Sequence, residues 1–222
     1  MIQAVIFNLD GVLVSSDECH YKAWKQLAHE QGIVLTGELY RQMVGKKRMD
    51  SLRILLKKAE RNYSPAEMWV LSSRKTDLFN DLAGRLNKSS LLPGAMDTLN
   101  RLKEMGVKIA VGSSSENAGG ILRHLGIRKL FDTVVDGGDI ENGKPDPEVF
   151  LLAARKLMTP TSNCLVIENT PAGIEAARQA GIRCIALGGA DSESGESERD
   201  FSLAELDLPE IVKADNAEQI ML

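Results

Sequence analysis

Five short apolar runs, at residues 3–7, 107–111, 133–135, 164–167 and 184–187, alternate with stretches whose apolar residues recur at helical spacing. Strand and helix alternating in this order build βαβ units, which predicts an α/β chain with a parallel sheet. The intervening helices carry their own stop signals. Leu99 and Leu102 run into Gly106, Ile121, Leu122 and Leu125 into Gly126, and Ile174 and Ala177 into Gly181. Each glycine fits the position just past a helix end, where the backbone turns left-handed. Two start signals, Asp146-Pro147 and Thr170-Pro171, set a capping side chain before a proline at the first helical position. Such helices follow strand-end loops, which in a parallel sheet gather at the carboxyl edge where ligands bind.

The alternation breaks once. From residue 16 to 88 the β-rich runs vanish and helical stripes replace them. Tyr21, Trp24, Leu27 and Ala28 share one face, Leu52, Leu55, Leu56 and Ala59 another, and a third helix is expected over 65–86. An insert of this length after the first strand is too long for a loop and long enough for a separate lid. The expected organisation is a split α/β core domain, residues 1–15 and 89–222, with a helical cap domain, residues 16–88. The acidic, glycine-rich stretch GGADSESGESER at 188–199 reads as a mobile surface loop.

Composition narrows the class of partner. With 222 residues, 43% apolar and 26% charged, the chain can bury a core of its own. Its 27 basic and 31 acidic residues are too evenly matched to suggest nucleic acid or an anionic membrane, which leaves small molecules. Cys19, Cys164 and Cys184 form neither a CxxC pair nor a zinc-binding spacing, in keeping with a reducing compartment. The start, MIQAVIFNLD, lacks a basic segment and a long apolar run, so it reads as a buried strand of a cytoplasmic protein and not as a signal peptide.

Chemistry concentrates at the strand ends. Asn8 and Asp10, two residues apart, are expected to project to one side at the sheet's carboxyl edge, although both also suit a plain turn before Gly11. Gly112-Ser113-Ser114-Ser115 presents hydroxyls and backbone N–H groups at a helix start, which suits a phosphate. Lys144 sits on a proline-stiffened loop, GKPDP, and Glu168 ends a further run in IENTPAG. Neither GxxxxGKS/T nor GxGxxG follows any expected strand, which argues against a nucleotide-dependent kinase or a dehydrogenase.

The ordered set FNLDGVL, VGSSS, GKPDP and VIENTPAGIEAA resembles the four motifs of the haloacid dehalogenase superfamily of phosphotransferases, and it spans the chain. His20-Tyr21-Lys22-Ala23-Trp24, VGKKR at 44–48 followed by Asp50-Ser51-Leu52, and Arg74-Lys75 are similar to its β-phosphoglucomutase-like subfamily. The HxxAW element also occurs in related sugar-phosphate phosphatases. The resemblance implies a Rossmann-like parallel-sheet core with a helical cap inserted after the first strand. It implies that position 8 holds the nucleophile that becomes phosphorylated and that Asp10 is the general acid/base. Ser113, Ser114 and Lys144 would hold the transferring phosphoryl group. Position 8, the main-chain carbonyl of Asp10, Glu168 and Asn169 would bind Mg²⁺, a cation that takes hard oxygen ligands. Arg48, Ser115 and Asn117 would match a second phosphate site, and His20, Gly45, Ser51 and Lys75 would line the substrate side of the cap. Trp24 belongs to the same element, with its ring assigned to the cap core. The implied ligand is a small phosphorylated sugar, bound by a monomer.

Three positions depart from that pattern. Asn8 carries a neutral carboxamide where the pattern has the nucleophilic aspartate, so the phospho-aspartate route is expected to be closed, at a rate cost on the order of 10⁴ to 10⁶. Asn169 stands where the subfamily has a second acid after the glutamate; Glu-Asn-x-Pro also occurs among related enzymes, but with charge lost at both 8 and 169 weak Mg²⁺ binding is expected. Glu116 stands where a lysine would serve the distal phosphate, and its charge repels a phosphate unless Lys47 or Arg48 screens it. The resemblance therefore points to a Mg²⁺-dependent phosphotransferase that interconverts sugar 1- and 6-phosphates through a phospho-aspartate and a bisphosphate intermediate, with its nucleophile position replaced and the chain expected to be nearly inactive. A sugar-phosphate phosphatase and a non-catalytic sugar-phosphate binder are the alternatives.

Overall fold

The computed structural model describes residues 1–188 and 202–213; of the stretch 188–199, all but Gly188 lies outside them. Five strands, β1 (Ala4–Phe7), β2 (Lys108–Gly112), β3 (Thr133–Val135), β4 (Cys164–Glu168) and β5 (Arg183–Ala186), form one sheet in the order β3-β2-β1-β4-β5. All four pairings are parallel, and every expected strand is found to within a residue at each end. β1 is central because both of its faces are apolar. Val5 and Phe7 join Leu99, Leu102, Ile121 and Leu122 on one side, while Ala4 and Ile6 join Val149, Phe150, Ala153 and Ala177 on the other. Those partners come from α5 (Ala95–Glu104) and α6 (Ala118–His124) on the first face, and from α7 (Glu148–Lys156) and α8 (Pro171–Gln179) on the second.

The helix ends follow their local chemistry. Gly106, Gly126 and Gly181 have φ of 73°, 73° and 65°, as helix-terminating glycines require. Thr170 caps α8 by accepting the Gly173 N–H, with Pro171 as the first helical residue. The parallel expectation for Pro147 is corrected: Pro147 is itself the cap residue of α7, and the Asp146 carboxylate accepts the Glu148 N–H at 2.9 Å from one position further out.

Between β1 and α5 lie α1 (Asp17–Glu30), α2 (Gly37–Arg41), α3 (Arg48–Leu56) and α4 (Pro65–Ala83). Trp24, Leu27 and Ala28 of α1 pack against Leu52, Leu55 and Leu56 of α3 in an apolar cluster of their own. Ala23 and Phe79 instead join the cluster on the sheet. α4 starts with a reciprocal cap between Ser64 and Glu67, and it ends at Ala83, three residues short of the expected boundary, where Gly84 interrupts the stripe that Leu86 continues. α9 (Leu208–Lys213) closes the described chain and packs on α5. No helix among the described residues is long and apolar enough to cross a membrane.

Candidate active site

The sheet register brings the strand-end residues abreast. Phe7 pairs with Val111 on one side and with Ile167 on the other, so Asn8, Gly112 and Glu168 follow at the same level. β1 stops at Phe7, which corrects the expectation that Asn8 and Asp10 ride on a strand: they lie in the turn beyond it, and only an isolated bridge from Asp10 to Val14 continues the pairing. Both still face one cleft. Its lining includes Asn8, Asp10, His20, Trp24, Gly45, Arg48, Ser51, Lys75, Ser113, Ser114, Ser115, Asn117 and Lys144. Glu168 and Asn169 sit behind this surface, in contact with Lys144 and Asn8.

At the floor, Lys144 is 3% exposed and Glu168 is fully buried. The ammonium donates to Glu168 Oε1 at 2.5 Å, to the Gly112 carbonyl at 3.1 Å and to Asn8 Oδ1 at 3.3 Å. An ammonium has three N–H groups, so all of them are used. Glu168 Oε2 accepts from the N–H groups of Asn169 and Thr170 at 2.6 and 2.7 Å and from the Thr170 hydroxyl at 3.1 Å. A charge pair is tolerated at this depth because every remaining donor and acceptor on it is satisfied.

Asn8 is held on both sides. Its Oδ1 accepts from Lys144, and its Nδ2 donates to the Asp10 carbonyl at 3.1 Å and to Asn169 Oδ1 at 2.9 Å. The neighbours settle which way the amide points, because a lysine can only donate and a carbonyl can only accept. The four residues implied to hold Mg²⁺ therefore do come together, but around an N–H donor. Both Glu168 oxygens are engaged, the Asp10 carboxylate is turned away toward Ser16 and His20, and no cluster of three acidic, histidine or cysteine side chains suited to a metal occurs among the described residues. As they stand, these residues do not fit a divalent cation.

The wall above the floor is a row of polar and titratable side chains. Ser16 Oγ donates to Asp10 Oδ1, and His20 Nε2 lies 3.6 Å from that oxygen with no hydrogen-bond partner. Lys75 Nζ is 2.9 Å from His20 Nδ1. The lysine is the donor, so the imidazole proton sits on Nε2, facing Asp10. Burial would raise the Asp10 pKa, but His20, the Ser16 hydrogen bond and Lys75 outweigh it and hold it below the usual carboxylate value. Burial and the Lys75 charge lower the pKa of His20. Burial pushes Lys75 down to about 7, although the Asp10 charge opposes it. The Lys75 ammonium lies 4.7 Å from the Phe79 ring centre and 5.2 Å from that of Trp24, which explains the Trp24 position: it lines the cleft edge while its body is cap core.

At the distal end, Arg48 donates to Ser72 Oγ at 2.8 Å and pairs with Glu116 at 2.5 Å, so the carboxylate flagged in the sequence is neutralised by the very arginine assigned to a second phosphate. Ser115 and Asn117 make a tight turn there: the Ser115 N–H donates to the Ser113 hydroxyl and the Asn117 N–H to the Ser115 hydroxyl. Ser51 is 2% exposed and donates to the Met43 carbonyl, which shapes the loop before α3. Gly45 has φ of 77°, and a Cβ there would come within 2.9 Å of Thr170 Oγ1, so only glycine allows the cap loop this close to the core.

Sequence reasoning missed several lining residues. Asp17, Tyr40 and Thr170 face the cleft, and Ser16 holds Asp10. The Ser15-Ser16-Asp17 run before α1 carried a helix-start signal that marks two of them; Tyr40 carried none. Burial, with Asp10 and Glu168 nearby, raises Asp17 to about 7.

Residues 2–181 match the family model of the haloacid dehalogenase-like hydrolases. The chain belongs to this family. It is 38% identical over 189 residues to β-phosphoglucomutase of Bacillus subtilis, covering 84% of each chain. It is 32% identical over 187 residues to a phosphorylated carbohydrates phosphatase of Thermotoga maritima, covering 83% of this chain and 84% of that one. The crystal structure of β-phosphoglucomutase from Clostridium difficile superposes with a TM-score of 0.89 at 32% identity over 96% of both chains. The Rossmann-like core with inserted helices is thus the family's fold, and the relatives it resembles include a phosphatase and phosphomutases.

Proposed function

We propose that this haloacid dehalogenase-like protein is a cytoplasmic, monomeric receptor for a small phosphorylated sugar, built on a β-phosphoglucomutase-like site whose turnover is closed at Asn8. One observation carries the reading. Asn8 occupies the nucleophile's place, its Oδ1 held by Lys144 and its Nδ2 held by two oxygens, so no anionic oxygen faces the cleft there. Ser113, Ser114 and the adjoining helix start would take the phosphate, Asp10 and His20 a sugar hydroxyl, and Lys75 the cap side of the ring. The helical part, residues 16–88, would act as a lid on the core, residues 1–15 and 89–222.

The test sets this chain beside Asn8→Asp and Asn8→Asp/Asn169→Asp, with β-glucose 1-phosphate, Mg²⁺ and a trace of the bisphosphate, following sugar product and free phosphate together. Turnover is expected only in the forms carrying Asp at 8. Turnover by the chain itself, or silence of all three on a panel of sugar phosphates that it binds, rejects the reading. The Arg48–Glu116 pair favours one second reading: with Arg48 neutralised the distal end suits a neutral group, as in a phosphatase acting on a monophosphate. Phosphate released in preference to isomerised sugar identifies it.

A further inference from the structure

We infer that the Asn8 amide nitrogen takes the place of a divalent cation, so that the cleft binds a phosphate monoester without metal, and that Asn8 and Asn169 are a matched pair that makes this possible. The inference rests on the proposed ligand class and concerns how the site accepts its charge.

The geometry is that of a neutral cluster. Asn8 Nδ2 sends its two N–H groups to the Asp10 carbonyl and to Asn169 Oδ1, so one nitrogen satisfies two oxygens, as a cation between them would. The third oxygen, Asn8 Oδ1, is satisfied by Lys144.

The charge balance explains why both positions matter. Carboxylates at 8 and 169 would face each other with no N–H between them, and two like charges at this range stay together only with a cation or a shared proton. Two carboxylates with a divalent cation sum to zero. Two carboxamides also sum to zero, and they hydrogen-bond each other directly. A phosphate dianion arriving above Asn8 therefore meets the same net charge from this cluster with no ion recruited. Changing one position alone breaks the match: Asn8→Asp turns Nδ2 into an oxygen that faces the Asp10 carbonyl with no proton to offer, and Asn169 can donate to it only by turning its amide over. That group gains from a cation, but supplies only one charge to hold it.

The experiment has two arms. In the first, Mn²⁺ is titrated alone and followed by electron paramagnetic resonance. This chain is expected to show no binding below millimolar Mn²⁺, Asn8→Asp weak binding, and Asn8→Asp/Asn169→Asp binding at least tenfold tighter than the single variant. In the second, calorimetry measures β-glucose 1-phosphate binding with EDTA and with 10 mM Mg²⁺. The dissociation constant of this chain is expected to differ less than twofold between the two, while the double variant binds at least tenfold better with Mg²⁺. Micromolar Mn²⁺ binding by this chain, or a tenfold loss of its sugar phosphate affinity in EDTA, overturns the inference. If no sugar phosphate binds under any condition, the receptor reading falls and the Mn²⁺ ladder alone judges the inference. Melting temperatures with and without Mg²⁺ guard against a poorly folded double variant: Mg²⁺ is expected to raise the melting temperature of that variant only, and an equal rise for this chain overturns the inference as well.

Discussion

A carboxamide has nearly the shape of a carboxylate, yet at position 8 its N–H groups bond the Asp10 carbonyl and Asn169 Oδ1, contacts that a carboxylate oxygen has no proton to make. Lys144 and Glu168 are likewise interdependent. Lys144→Met leaves a fully buried carboxylate without its cation and is expected to cost about 3–5 kcal/mol, whereas Lys144→Met/Glu168→Gln is expected to recover part of the loss. Urea denaturation measures both, and a single variant within about 1 kcal/mol of the parent would contradict the pairing. Lys75 gives a pH signature. Its folded pKa of about 7 lies below the value of about 10.4 expected in an unfolded chain. At pH below 7 the folded state carries the full cost of a buried ammonium. Between pH 7 and about 10 the folded protein has released the proton and the unfolded chain still holds it, so stability rises with pH. Lys75→Met is expected to remove that rise and to be more stable than the parent at pH 6. A parent whose stability is flat from pH 7 to 9.5 rejects the assignment.

Among the elements, the cap of α8 ties stability to the site and the cap of α4 does not. Thr170 caps α8 and also donates to Glu168 Oε2, while Ser64 caps α4 far from the cleft. Ser64→Ala is expected to cost about 1 kcal/mol. Thr170→Val loses the same kind of cap and one donor to a buried carboxylate, so it is expected to cost more, about 2–3 kcal/mol, read by thermal denaturation at one pH. Equal losses would mean that the Glu168 contact adds nothing. Element positions were legible in the sequence because strand and helix each impose a period, and because glycines and capping residues mark ends locally. Where the marks were ambiguous the reading slipped: Asp146-Pro147 looks like Thr170-Pro171, yet the side chain of Asp146 reaches past one more residue, and the apolar stripe through Leu86 outlasts the helix. The cleft residues of the core were legible from four strand-end motifs in order, whereas Tyr40 of the insert carried no signal. The pairings were not legible, because Arg48 meets Glu116 across 68 positions and Asn8 meets Asn169 across 161, distances over which no local pattern runs.

At the scale of the molecule, the loop leading into α3 meets the core's site edge through two polar ties and one close packing contact. Arg48 pairs with Glu116, Lys47 donates to the carbonyls of Ile140 and Glu141, and Gly45 packs on Thr170. The apolar cluster of Trp24, Leu27, Leu52 and Leu55 stays within the insert, while Ala23 and Phe79 pack on the sheet, so breaking the loop's ties opens the rim and leaves that apolar contact in place. Contacts that are polar and partly exposed contribute modestly and open locally well before the sheet unfolds. The double variant Lys47→Ala/Glu116→Ala is therefore expected to speed amide hydrogen exchange at 42–48 and 137–143 by at least tenfold, while exchange in β1, β2 and β4 is unchanged. Salt should act in the same direction on the parent, because screening weakens the Arg48–Glu116 pair. If exchange in the central strands rises in parallel, the insert and the sheet open as one cooperative unit and the lid assignment fails. If the loops alone respond, the cleft is gated by a few charges at its rim, and ligand entry can be tuned there without disturbing the amide cluster at the floor.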